Sequence, residues 1–181
     1  MPRRLFGPPT LCLALLALGA TAQAAPAKPA DLTPLLPPAK KLPACAKAFV
    51  PLEDYEAACD GAPTGGQTSS DPRFVSCMAG LLITTAKAEG VKAEQASGAA
   101  MATFESGGEL SVLAVSFADE QAAAAVASGL EKTAAAPAGT PARALVHRNG
   151  TAVAFATCDA QFDAACCREV LAVVAATWKK P

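Results

Sequence analysis

The chain has 181 residues, 52% hydrophobic and 17% charged, with 15 basic against 16 acidic side chains and a net charge of −1. Only 5% are aromatic, and Lys and Arg are scattered rather than gathered into a stripe, so no nucleic-acid partner is expected. With seven cysteines, the compartment is the first question to settle.

The opening segment answers it. Arg3 and Arg4 give a basic start, residues 11–18 are apolar, and Ala22-Gln23-Ala24 is a small-x-small cleavage site, so residues 1–24 read as a signal peptide cut before Ala25. The apolar run is shorter than the roughly 18 to 20 residues a bilayer span needs, and no other segment is long and apolar enough, so no membrane span is expected after signal removal. Cys12 lies near the start of the run, not directly after it where a lipoprotein signal would be cut. Cleavage leaves 181 less 24, or 157 residues, about one domain. Arg3 and Arg4 leave and no acid does, so the net charge falls to −3. The expected location is periplasmic or secreted, and heavy use of Ala and Pro fits a high-GC bacterial coding sequence.

Residues 25–43 carry six prolines among alanines and lysines and read as a semi-rigid Pro/Ala-rich linker. The folded domain is then residues 44–181. Between 44 and 61 two short helical pieces are expected, interrupted at Pro51, with Glu53, Asp54 and Glu56 near the start of the second. Residues 62–70 are rich in Gly, Thr and Ser and read as a loop. Asp71-Pro72 is a helix start and Gly90 a matching stop, with Phe74, Cys77, Met78, Leu81, Leu82 and Thr85 at helical spacing.

The period then changes. Residues 99–105 and 109–117 read as strands joined by Ser106-Gly107-Gly108, and the second is apolar on both faces, as a central strand is. Asp119 caps a helix to about Ala134. Asn149-Gly150 predicts a type I′ hairpin between residues 142–148 and 151–157. In that register Arg148, Val146 and Ala144 face Thr151, Val153 and Phe155 on a core side. Arg143, Leu145 and His147 lie opposite Ala156, Ala154 and Ala152, a flatter face open either to solvent or to a close-packed helix. A last helix runs from about Asp163 to Trp178 with a broad apolar face. The expected fold is therefore α+β: an antiparallel sheet of about four strands in two hairpins, covered by helices, with a helical N-terminal part and disulfides.

Six cysteines remain after signal removal: Cys45, Cys59, Cys77, Cys158, Cys166 and Cys167. In an exported chain they imply up to three bridges. A Cys166–Cys167 bond would strain the intervening peptide. Cys59 with Cys77 is the first expected pair; Cys158 then pairs with Cys166 or Cys167, and Cys45 takes the other.

No chemistry is legible beyond this framework. There is no Cys-x-x-Cys, although Cys166 and Cys167 fall in the first turn of a helix, where the dipole lowers a thiol pKa. Cys-x7-Cys-Cys matches no standard zinc spacing, and His147, the sole histidine, lies on a strand without a nucleophile motif. Asp159 and Asp163 read as caps, and Asn149-Gly150-Thr151 as a turn that happens to match the glycosylation pattern. No catalytic, metal or cofactor residue is assigned. The expected function is a binding or interaction module of the periplasm or cell exterior, with a protein or small-molecule partner; the alternative is a small envelope enzyme using thiol redox or hydrolytic chemistry. A concave site gathering His147, Arg143 or an acid pair would favour the enzyme.

Overall fold

The computed structural model describes residues 31–49, 68–69, 71–137 and 139–179. It is an α+β fold in which all strand pairings are antiparallel. The strands are β1 (Lys47–Phe49), β2 (Thr68–Ser69), β3 (Ala96–Glu105), β4 (Glu109–Phe117), β5 (Ala144–Asn149) and β6 (Ala152–Cys158). Across the sheet they run β1-β3-β4-β6-β5, with the two-residue β2 also on the outer edge of β3. Among the described residues three α-helices accompany them: α1 (Pro72–Ala86), α2 (Glu120–Ala134) and α3 (Ala164–Trp178). The four long strands form the two expected hairpins, β3–β4 and β5–β6, joined through β4 and β6 at the centre.

Each helix begins where a carboxylate satisfies orphan amides of the first turn. Asp71 accepts from the Arg73 and Phe74 amides, Asp119 from Ala122, and Asp163 from Cys166. Helix α1 stops at a left-handed Lys87 (φ 51°), three residues before the expected glycine. Gly90 has positive φ too, but in the turn that follows.

Helices cover the sheet on both faces. On one face α1 and α2 set Phe74, Met78, Leu82, Val126 and Leu130 against Val115, Phe117 and Val153. The other face is floored by small residues, Ala100, Ala102, Ala114, Ala154 and Ala156, all buried. Side chains this short let α3 lie close, with Val170, Leu171 and Val174 against them. The flat alanine side of the last hairpin thus does admit a helix.

Three expectations need correction. Residues 44–49 are not helical: Lys47–Phe49 is an edge strand paired with Thr103–Glu105, because the backbone groups of β3 would otherwise lie open there. The expected helix over residues 52–59 lies outside the described residues. The linker reading fails for residues 31–43, where 3-10 turns at Thr33–Leu35 and Ala39–Lys41 fold the segment onto the domain and Leu32 and Leu36 enter the core. Apolar burial outweighs the extended preference of the prolines there. Residues 25–30 lie outside the described residues.

The third correction concerns register. Asn149 pairs with Ala152 and Arg148 with Val153, so Gly150 and Thr151 form the turn, one step later than expected. Only Gly150 has positive φ (56°), which excludes the type I′ turn and fits a glycine-first turn. The pairing moves by two residues, and because side chains alternate with period two, every face assignment survives.

Gly129 of α2 marks the closest approach of two helices, since a β-carbon there would collide with the carbonyl oxygen of Ala86 in α1. Gly129→Ala is expected to lower stability by roughly 1 to 3 kcal/mol through overpacking, although alanine is the better helix former by about 1 kcal/mol. Gly80 of α1 has nothing within 4 Å of that position, so Gly80→Ala should be neutral or stabilising. Urea denaturation of both variants tests this; equal effects would show that α1 and α2 do not cross closely at Gly129.

Candidate functional site

The cysteines come first, because they decide whether thiol chemistry is at hand. The Asp163 cap starts α3 so that Cys166 and Cys167 leave its first turn in different directions. Cys166 bonds Cys45, 121 residues away, and Cys167 bonds Cys158, with Cα–Cα distances of 5.9 and 6.3 Å. Of the pairings left open by the sequence, this selects Cys45–Cys166 with Cys158–Cys167. Cys77 is also disulfide-bonded, to a partner outside the described residues, as Cys59 is. All five described cysteines are therefore bridged, and none is a thiolate nucleophile in this state.

Arg143 and Asp159 are structural. The Arg143 guanidinium donates to the carbonyls of Asp159 and Phe162 (2.8 Å for the latter), clamping the loop before α3. Asp159 accepts from the amides of Glu109, Gln161 and Phe162 at 2.7–2.8 Å, and these donors, the Glu109 amide foremost, hold its carboxyl below the usual range. Asp163 caps α3, as expected; Asp159 caps no helix and instead ties the loop before α3 to the start of β4. Glu53, Asp54 and Glu56 lie outside the described residues.

His147 is better placed than a surface histidine. Its ring stacks on Trp178, with centroids 5.5 Å apart and planes inclined by 20°. Trp178 is only 7% exposed and its Nε1 donates to the Leu35 carbonyl at 2.7 Å. The pair floors a groove of about 1060 Å³ at the C-terminal end of α3. One wall is the N-terminal segment with Asp31, Pro34, Pro37 and Pro38; the other is the β5–β6 turn with Asn149 and Thr151, and Glu120 from the first turn of α2. Hydrogen bonds from the Thr33 hydroxyl, foremost, and from the Thr33 amide at 3.0 Å hold the Asp31 carboxyl below the usual range. Arg143 is not part of this groove.

The sequence reading placed His147 and Trp178 on their elements without bringing them together, and it missed Asp31 and Glu120. Leu32, Leu35 and Leu36 within the proline-rich segment were the available signal, being apolar residues that a free spacer has no use for. Among the described residues, His147 makes no hydrogen bond with a carboxylate or hydroxyl, and no three His, Cys, Asp or Glu side chains gather as metal ligands. A scan against protein-family models finds no match, and searches of curated proteins and of solved structures likewise find none.

Burial lowers the His147 pKa from its ordinary 6.5. A base whose folded pKa lies below its unfolded one adds stability above pH 6.5 that is lost as pH falls through the folded value. With one histidine in the chain, NMR titration of its Cε1 proton reads it directly; a midpoint at or above 6.5 would refute the burial effect. Stability of the native protein should fall as pH drops below 6.5 toward the lowered His147 value, and the histidine's part of that fall should vanish in His147→Gln.

Non-reducing peptide mapping of the native protein is expected to return Cys45 with Cys166, Cys158 with Cys167, and Cys77 with Cys59. Cys77 linked to Cys12 instead would mean that the signal segment is retained.

Proposed function

We propose that the chain is an exported binding module of the bacterial periplasm or cell exterior, braced by disulfides, with its ligand in the groove floored by His147 and Trp178. The basic, apolar and small-x-small features of residues 1–24 support export, and the Cys45–Cys166 and Cys158–Cys167 bonds are consistent with an oxidising compartment outside the cytoplasm. Among the described residues no helix is long and apolar enough to cross a membrane.

The observation that carries the binding reading is the groove itself. Its floor is a stacked ring pair, its N-terminal wall is largely proline and leucine, and a few polar groups, Asp31, Glu120, Asn149 and Thr151, line it. Concave apolar surface with sparse polar groups is what recognition sites share. The enzyme alternative draws on one feature, a histidine in a groove that two carboxylates also line. A histidine acting as general base needs an orienting partner and a nucleophile within hydrogen-bond reach. His147 is held by stacking on Trp178 instead.

An NMR screen of isotopically labelled protein against a mixed peptide and small-molecule library separates these readings. The binding reading expects shifts concentrated at His147, Thr151 and the Trp178 indole N–H. Hits that move only residues around Leu81 and Met101 would place the site on the opposite face of the sheet and sink the proposal. Turnover of an ester or peptide substrate that disappears in His147→Ala would replace it with the enzyme.

A further inference from the structure

We propose that the groove takes an extended basic peptide, a run of lysine or arginine side chains interspersed with prolines or other apolar residues; this rests on the binding reading above. Its size is the first argument. At about 1060 Å³ the groove lies at the upper end of the roughly 300 to 1,000 Å³ range of ligand pockets, room enough for several residues of a peptide. It is also bounded by a stretch of backbone on one side and a hairpin turn on the other, a shape that suits a chain more than a compact molecule.

Charge is the second. The acidic and basic side chains lining the groove, histidine apart, are Asp31 on one wall and Glu120 on the other, both carboxylates. The Glu120 Oε1 lies against the turn, 4.0 Å from where a β-carbon on Gly150 would sit. Among the described residues no lysine or arginine lines it. Arg148, the nearest cation in sequence to the turn, projects to the opposite face of the hairpin from His147 and donates to the Gly150 carbonyl at 3.2 Å. Lys40, Lys41 and Lys179 border the segments that build the groove without entering its lining. Because burial disfavours the charged imidazolium, His147 adds no positive charge at neutral pH.

The third argument is the nature of the walls. Pro34 and Pro38, both exposed, offer rigid apolar surface on the wall that also carries Asp31. Lysine and arginine lay their aliphatic stems on such surface while the charged head reaches an acid at its edge. An acidic peptide would meet like charge at both walls, and a neutral one would leave both negative charges uncompensated.

The test uses the full exported protein and three peptides of equal length: alternating Lys-Pro, Gln-Pro and Glu-Pro. Trp178 is the sole tryptophan and His147 the sole histidine, so intrinsic fluorescence and the imidazole NMR signal both report on the groove floor. The Lys-Pro peptide is expected to bind with shifts at both reporters, to weaken as salt is raised, and to lose about 2- to 30-fold in affinity in Asp31→Asn/Glu120→Gln, the range for two exposed ion pairs. Both substitutions are exposed and near-isosteric, and an unchanged melting temperature would show that the fold is retained. Equal binding of all three peptides, or an affinity untouched by the double variant, overturns the basic-ligand proposal while leaving the groove as the binding site. Response to none of the three overturns the peptide proposal, and the library screen then judges the groove separately. Lys-Pro binding that moves neither reporter overturns both.

Discussion

Strand β4 is buried on both faces, with Leu110, Val112 and Ala114 on one side and Val115 and Phe117 on the other, and the sheet around it must therefore be covered twice. Five strands abreast at about 4.8 Å spacing make a sheet roughly 20 Å across, whereas one helix covers about 10 Å. Each face needs the width of two helices. One face has them in α1 and α2. Among the described residues the other has α3 alone, and residues 31–38 lie beside it, with Leu32 and Leu36 entering the core that also holds Trp178. A segment with this proline content cannot be a helix, so it covers the face as 3-10 turns and irregular backbone. The groove follows from that substitution: an irregular segment lying beside a helix end leaves a furrow that a second helix would have filled.

The two ends of α3 are held by different means. At its start, two disulfides and the Asp163 cap join it to the segment before β1 and to the end of β6, while Arg143 and Asp159 fasten the preceding loop. Closing a loop of 121 residues is worth about 5 kcal/mol in chain entropy and one of nine about 2.5 kcal/mol, each taken alone. The Cys45–Cys166 bond is thus the larger constraint, and it returns the N-terminal segment to the sheet. At the far end of α3 no covalent tie is present among the described residues. There the hold is the Trp178 indole on the Leu35 carbonyl and the His147 stack, and this is the end at which the groove opens.

Most of the sheet and all three helices were legible in the sequence, because they rest on local rules. Alternation gave β4 its two apolar faces, and aspartates at positions 71, 119 and 163 marked the helix starts. What escaped was decided by contacts between distant parts. The prolines of residues 31–43 spoke for a spacer, and only the unmet area beside α3 explains why Leu32 and Leu36 are drawn in. Edge strand β1 depends on an open side of β3 more than fifty residues on. Asn149-Gly150 announced a turn correctly, but where the turn sits is fixed by the longer pairing of β6 with β4, from Leu110–Cys158 to Ser116–Ala152. The candidate site was the least legible part, since its floor joins positions 147 and 178 and its walls join 31 and 120.

The rigidity of the groove bears on what it can do. Detaching the N-terminal wall would expose Leu32 and Leu36, at about 1.5 to 3 kcal/mol for each buried leucine, and would break the indole hydrogen bond of a nearly buried tryptophan, a further 1 kcal/mol or so. The sum is a large share of the roughly 5 to 15 kcal/mol by which a domain is stable. The wall is consequently part of the folded unit and not a flap that closes over a ligand. A ligand meets walls already in place, so little of its binding energy goes into ordering the protein, which favours even modest contacts. The same rigidity argues against a mechanism that depends on closing the site to exclude water, and it is a further physical reason to read the groove as a place of recognition.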